Sequence, residues 1–107
     1  MYEYRANLIR VVDGDTIVVR LDLGLGIHKN EYLRLYGIDA PEKRGEERVE
    51  GIAASRHLEL LLKGPLTVET IKDKKGKYGR YLAVVYDSEG MNINSQMIED
   101  GHATLYE

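Results

Sequence analysis

The sequence predicts an α+β domain, mainly β: a five-stranded Greek-key barrel with a helix after the third strand and a short helix near the C-terminus. Three observations carry the prediction. Apolar and polar residues alternate in successive segments before Gly37, the two-residue period of half-buried strands. Helical spacing occurs between Val49 and Lys63 and again, briefly, after Asn92. Turn and cap signals, Asp13-Gly14, Gly64-Pro65, Gly90 and Gly101, separate these segments. The chain of 107 residues has room for one domain, taken as residues 1–107.

The elements follow in order. Tyr4, Ala6 and Leu8 alternate with Arg5, Asn7 and Ile9, a first strand reaching about Val12. Asp13-Gly14 is a hairpin signal. Ile17, Val19 and Leu21 alternate with Val18, Arg20 and Asp22 as a second strand, and Gly24 and Gly26 loosen the next connection. A third strand over Ile27–Tyr36 puts Ile27, Leu33 and Leu35 on one face and His28, Tyr32, Arg34 and Tyr36 on the other. After a loop from Gly37 to Gly45, Val49, Ile52, Ala53 and Leu60 mark a helix that Gly64-Pro65 stops. Leu66–Ile71 and Arg80–Tyr86 are strands four and five. The turn Asp87–Gly90 leads to a helix capped by Asn92 or Asn94, carrying Met97 and Ile98 and ending at Gly101. Five strands with a helix inserted after the third is the order of an OB-type barrel, whose open face commonly binds oligonucleotides.

Composition narrows the chemistry. With no Cys, disulfides, thiolate nucleophiles and Cys-based zinc or iron–sulfur sites are excluded. All eight aromatic residues are tyrosine. Fifteen Lys and Arg against eighteen Asp and Glu give a net charge of −3, the wrong sign for gripping nucleic acid with the whole surface. Yet Lys72, Lys74, Lys75, Lys77 and Arg80, with Asp73, give one stretch a charge of +4, leaving −7 on the rest. A basic loop on an acidic body suits a local phosphate site. No apolar run approaches the ~20 residues that span a bilayer, so no membrane contact is expected. Met1–Arg5 shows no signal-peptide pattern, which points to a cytoplasmic protein, or a secreted one if the chain is a mature form. His28, His57 and His102 lack zinc-ligand spacing, and Gly24-Leu25-Gly26 lacks the context of a phosphate loop.

Four pieces could carry chemistry. Asp13-Gly14-Asp15-Thr16 sets two carboxylates about a tight turn, where Asp-Gly alone is ordinary hairpin chemistry. Arg34–Glu42 runs from a strand end into a Pro-containing turn, with Asp39 and Glu42 close behind Arg34. Lys77-Tyr78-Gly79-Arg80 ends the basic loop, and Asn92-Ile93-Asn94 reads as a helix cap.

Taken together, Val12-Asp13-Gly14-Asp15-Thr16, Arg34-Leu35-Tyr36-Gly37-Ile38-Asp39-Ala40-Pro41-Glu42 and Lys77-Tyr78-Gly79-Arg80 resemble the staphylococcal nuclease (thermonuclease) family in order and spacing. The resemblance runs through nearly the whole chain and implies the same OB barrel. It implies a Ca²⁺-dependent endonuclease that hydrolyses DNA and RNA, single strands favoured, to products ending in a 3′-phosphate; an intracellular protein would call for another divalent metal. By that resemblance Asp15, Asp39 and the backbone carbonyl of Ala40, where the family often has Thr, ligate the metal. Hard oxygen donors suit Ca²⁺. Arg34 and Arg80 match the catalytic arginines, whose planar guanidinium can bond a phosphate through two parallel N–H groups. Glu42 matches the glutamate that is either general base or organiser of the attacking water. Asp13 and Thr16 would sit beside the metal site, and Lys77, Tyr78 and Tyr106 would contact the nucleotide.

The resemblance also has departures: the chain is acidic, and it ends at Glu107 before the third helix of long family members. A monomer or weak homodimer is expected. The alternative is a non-catalytic OB-fold module that binds nucleic acid. Tyr32 and Tyr36 flank Arg34, Tyr78 neighbours Arg80 and Tyr106 closes the far side, so some tyrosines are candidates for stacking on bases. Tyr2, Tyr4, Tyr81 and Tyr86 read as replacements for Phe.

Overall fold

A computed structural model describes residues 2–75 and 80–106. The strands are β1 (Tyr2–Asp13), β2 (Thr16–Asp22), β3 (His28–Leu35), the two-residue β4 (Ile38–Asp39), β5 (Leu66–Lys75), β6 (Tyr81–Tyr86) and the two-residue β7 (Thr104–Leu105). A 3₁₀ turn at Gly45–Glu47 leads into helix α1 (Arg48–Leu61), and α2 spans Ile93–Glu99. Five strands close a barrel in the order β1-β2-β3-β6-β5, with β5 returning to β1. This is the expected OB-type order, with the β3–β6 pairing parallel and the others antiparallel. Strands β4 and β7 form a separate ribbon that the sequence pattern did not reveal. Among the described residues no helix is long and apolar enough to cross a membrane.

The alternating residues of β2 and β3 point as expected: Ile17, Val19, Leu33 and Leu35 are fully buried, joined in the core by Leu58, Leu66, Val68, Val85, Ile93 and Met97. Ile27 does not share that face. It precedes β3, in the turn opened by Gly24 and Gly26, and is 55% exposed. In β1 the strict alternation breaks: an irregularity between Leu8 and Arg10 shifts the register, so that Arg10 pairs with Val18 and Val11 with Ile17. Such a bulge re-aims every side chain beyond it.

Helix α1 buries a different stripe from the one its large apolar residues suggest. Val49 and Leu60 are 78% and 61% exposed, while Gly51, Ala54, Ser55 and Leu58 are buried. The reason is proximity. A Cβ built on Gly51 would lie 2.0 Å from the Glu42 carbonyl oxygen, so only a glycine lets the helix touch the loop backbone. A Cβ on Gly14 would lie 2.8 Å from the Cβ atoms of both Ala40 and Ala54. Gly14 is therefore needed for space at the β1–β2 turn, whose two central residues are Gly14 and Asp15, and it does not carry the positive φ of an Asp-Gly hairpin.

Asn92 caps α2, its Oδ1 accepting from the Ser95 amide at 3.1 Å. Asn94 is no cap. It is buried, and its Nδ2 donates to the carbonyls of Tyr36 (2.9 Å) and Ala83 (3.0 Å) while its Oδ1 accepts from the Val85 amide at 3.1 Å. The β3–β6 pairing ends at Leu35 and Ala83. Beyond it one amide group takes over the work of a neighbouring strand, as buried backbone polar groups require. Between α1 and α2, His57 Nε2 lies 2.6 Å from Asp100 Oδ2, and the His57 ring stacks on His102 with centroids 4.4 Å apart.

Two predictions follow from these contacts. Asn94→Ala leaves the Val85 amide and the Tyr36 carbonyl unpartnered, while the Ala83 carbonyl keeps the Tyr36 amide, and should lower unfolding free energy by about 2–3 kcal/mol, read from the denaturant midpoint. The hydrogen bond with His57, then that from Gln96, holds the Asp100 carboxyl below its ordinary value of 3.8. A carboxyl depressed by folding contributes stability above its unfolded pKa and loses it as pH falls through the folded one. Below about pH 4 the wild type should therefore lose stability more steeply than Asp100→Asn, as parallel melts across the acid range would show.

Candidate active site

The site assembles at the end of the barrel where the β1–β2 turn meets the exit of β3. The turn is tight, and Asp15 comes out of it pointing inward: the residue is 8% exposed. A buried carboxylate needs partners. Asp15 Oδ2 accepts from the Ala40 amide at 2.9 Å and lies 3.4 Å from Arg34 Nη1, and its Oδ1 accepts from the Thr16 hydroxyl at 3.0 Å. The Asp15 carbonyl also takes the Leu35 amide at 2.7 Å, which locks the turn against the end of β3.

Arg34 is held from several sides. Its Nη1 donates to the carbonyls of Ile38 (2.9 Å) and Leu35 (3.3 Å), and its Nη2 lies 3.4 Å from Asp39 Oδ1. The side chain of Asp39 is 57% exposed against 11% for Asp15, so one carboxylate is enclosed by protein partners and the other faces solvent. Arg80 joins through Thr16, donating from Nη1 to Oγ1 at 3.4 Å. The structure thus gathers Asp15, Thr16, Arg34, Asp39, Ala40 and Arg80 from four separate stretches of chain.

The ribbon of β4 and β7 brings in a fifth stretch. Ile38 pairs with Leu105 and Asp39 with Thr104, and the Tyr106 amide donates to the Gly37 carbonyl at 2.8 Å. In consequence the Tyr106 ring sits beside Arg34, its centroid 5.5 Å from the guanidinium carbon, a cation–π contact. Tyr36, Leu82, Leu105 and Tyr106 line a cavity of about 500 Å³ against Arg34. Glu42 lies on the exposed loop three residues beyond Asp39, its carbonyl close against Gly51 and its amide in a long contact (3.5 Å) with Glu47 Oε1. Asp13 ends β1, half-buried, paired through the backbone with Thr16. Lys77 and Tyr78 lie outside the described residues.

Two features of the site escape sequence reasoning. Asn94 fastens the Tyr36 carbonyl next to the cavity, and only its burial marks it. Gly51 sets the height of the Glu42 loop, a role invisible in a helical Gly, which normally signals only weakness.

For a metal, the donor chemistry is hard oxygen: two carboxylates, Asp15 and Asp39, bridged by one guanidinium, with the Ala40 backbone between the turn and the loop. Among the described residues no group of three or more His, Cys, Asp or Glu side chains comes together. These residues fit a hard cation that takes most of its coordination from water and substrate oxygens, as divalent ions at phosphate sites commonly do.

Comparison with known proteins supplies the relationship. A family description, staphylococcal nuclease homologue, matches residues 32–107, a span containing Arg34, Asp39, Glu42 and Arg80. Over 105 residues, 98% of this chain, the sequence is 35% identical to a protein of Escherichia coli named an uncharacterized endonuclease. It is 33% identical to the thermonuclease of Staphylococcus hyicus over 110 residues, covering 94% of this chain and 59% of that protein. Endonuclease YncB of Bacillus subtilis is 35% identical over 104 residues, covering 92% of this chain and 46% of its own length. The chain spans 63% of the Escherichia coli protein and so less than two thirds of each of these relatives.

Gly51→Ala separates the close-approach account from helix propensity. Propensity alone would stabilise α1 by up to about 1 kcal/mol. A methyl against the Glu42 carbonyl should instead destabilise by about 1–3 kcal/mol, the usual cost of overpacking. A raised denaturant midpoint would refute the account.

Proposed function

The chain belongs to the staphylococcal nuclease family, and from that premise we propose that it is a metal-dependent endonuclease hydrolysing phosphodiester bonds of DNA and RNA, with single strands preferred. The observation that carries the proposal is the clustering of Arg34 and Arg80 around Asp15, Thr16 and Asp39 at one end of the barrel. Two guanidinium groups beside two carboxylates form a site for a phosphodiester with a cation. Neither partner alone would need both signs of charge.

Asp15, Asp39 and the Ala40 carbonyl would hold Ca²⁺, or another divalent ion if the protein works inside the cell. Bound there, the cation supplies Lewis acidity toward a phosphate oxygen. The remaining chemistry belongs to the chain. Arg34 touches its carboxylate partners at 3.4 Å, the long end of ion pairing, so its fork can give them up for shorter bonds to phosphate oxygens. Arg80, just before β6, approaches the same place through Thr16. Fixed donors of this kind lower the barrier as charge accumulates on the phosphoryl oxygens. Glu42, on its exposed loop, takes a proton from the attacking water or holds that water in line. Water adds to phosphorus, the bond to the 5′-oxygen breaks, that oxygen leaves as a 5′-hydroxyl by taking a proton from solvent, and the product keeps a 3′-phosphate. Lys77, Tyr78 and Tyr106 contact the nucleotide, the last from the cavity it shares with Tyr36, Leu82 and Leu105. Asp13 supports the turn beside the metal ligands.

Single-stranded DNA incubated with the protein and Ca²⁺ should be cut, and a chelator should abolish the cutting. Glu42→Ser should slow it by about 10²-fold or more, the range of general-base losses. Phosphatase treatment should be needed before a polymerase can extend the products. Cleavage indifferent to both chelator and Glu42→Ser would sink the mechanism. Binding without cleavage under any divalent metal would leave a non-catalytic module in its place.

A further inference from the structure

On the outward face of the barrel, two residues along β3 from Arg34, Tyr32 is joined to Arg10 of β1. The Arg10 guanidinium carbon lies 5.5 Å from the ring centroid, and Nη2 donates to the Tyr32 hydroxyl at 2.6 Å. Simple alternation would not place Arg10 there. Ala6 is buried and Tyr4 and Leu8 pack against the core, so residue 10 should follow them inward. The irregularity between Leu8 and Arg10 turns the arginine outward, opposite Val18, which in turn pairs with Tyr32. Bulges of this kind re-aim a side chain next to functional sites.

The surroundings are basic although the chain as a whole is not. In the next rung Arg20 pairs with Asn7 on one side and Asn30 on the other. These two rungs therefore carry two arginines, two amides and a tyrosine and no carboxylate, on a chain of net charge −3. Tyr32 is 44% exposed and Arg10 is also exposed, so ring and guanidinium are both reachable. A cation held against an accessible ring is the surface on which single-stranded nucleic acid stacks its bases and rests its phosphates. Residues two apart on a strand lie about 6.7 Å apart, within the reach of one extended nucleotide.

We propose that Arg10 and Tyr32 form a substrate subsite. It receives the nucleotide on one side of the cleaved bond, its phosphate on Arg10 and its base against Tyr32. The cavity at Tyr36 and Tyr106 receives the nucleotide on the other side. The assignment rests on the reading of Arg34 as the arginine that grips the phosphodiester. Holding Arg10 against Tyr32 in the free protein lowers the ordering cost of the contact. The pair also covers Val18, which is 7% exposed although it faces outward, so a structural role must be separated from a binding one.

Arg10→Gln keeps a donor for the Tyr32 hydroxyl but removes the charge, and Tyr32→Leu keeps an apolar cover over Val18 but removes the ring. Denaturant melts of both establish that the fold holds. The reading is the ratio of kcat/KM for a single-stranded octanucleotide to that for a nitrophenyl phosphate ester of a single nucleoside, which fills the cavity side only, with Ca²⁺ present. Each variant should lower this ratio by about 10-fold, in the range expected for loss of one base–aromatic stack. Affinity for the octanucleotide, followed by fluorescence anisotropy, should fall in parallel. In Arg10→Gln its dependence on log salt should be shallower by about 0.7, one phosphate contact on a single strand. A wild-type ratio and affinity in both variants would overturn the subsite and leave the nuclease reading intact, and equal losses on both substrates would do the same. If the wild type binds the octanucleotide without cutting it, the nuclease reading fails and the anisotropy comparison still decides the subsite. If it neither binds nor cuts, both fall.

Discussion

A carboxylate taken out of water at a tight turn organises this molecule. Asp15 is 8% exposed, and an anion so placed must be matched from the protein itself. The partners that match it come from different stretches: the Thr16 hydroxyl beside it, the Ala40 amide beyond β4, and the Arg34 guanidinium on β3. Satisfying one buried charge therefore ties the β1–β2 turn, the end of β3 and the loop carrying Glu42 into one body. Arg80 is attached to that body through Thr16, and Asp39 through Arg34. The same bonds that stabilise the turn place the groups to which chemistry is assigned, so stability and function share a set of contacts here.

Small residues allow the tie to form. Gly14, Ala40 and Ala54 meet so closely that a Cβ on Gly14 would fall 2.8 Å from both alanines, and Gly51 lets α1 rest on the backbone of Glu42. Large side chains would hold the helix away from the turn and loosen the loop. The far side is closed differently. Asn94 supplies β6 with hydrogen bonds that no strand is left to make, and the β4–β7 ribbon folds Tyr106 back to Arg34. Each device compensates for a place where regular secondary structure runs out.

Much of this architecture is legible in the residues. Two-residue alternation in β2 and the end of β3, the Gly64 and Gly101 stops and the Asn92 cap are local signals, and they hold because neighbouring residues alone produce them. Local reasoning fails where distance in sequence matters. Val49 and Leu60 look like the buried stripe of α1, yet the approach of the Glu42 loop demands the small face of Gly51 and Ala54. Asn94 is indistinguishable from a cap until the edge of β6 is seen to lack a partner. Two-residue strands such as β4 and β7 have no period to detect, and a bulge such as that before Arg10 reverses a parity that nothing in the local sequence marks.

The sequence by itself determined the barrel and helix order, the absence of cysteine chemistry, and the family resemblance carried by Asp15, Arg34, Asp39, Glu42 and Arg80. These follow from periodicity, composition and motif spacing, which are properties of the chain read in order. Only the tertiary structure decided which of those residues share contacts, which carboxylate is buried and which faces water, and which tyrosines stand beside an arginine. Such matters depend on partners dozens of residues away, as when Tyr32 finds Arg10 and Tyr106 finds Arg34. A side chain's environment is set by closure of the barrel and the demand that each buried polar group be answered, and neither can be read from neighbours in sequence.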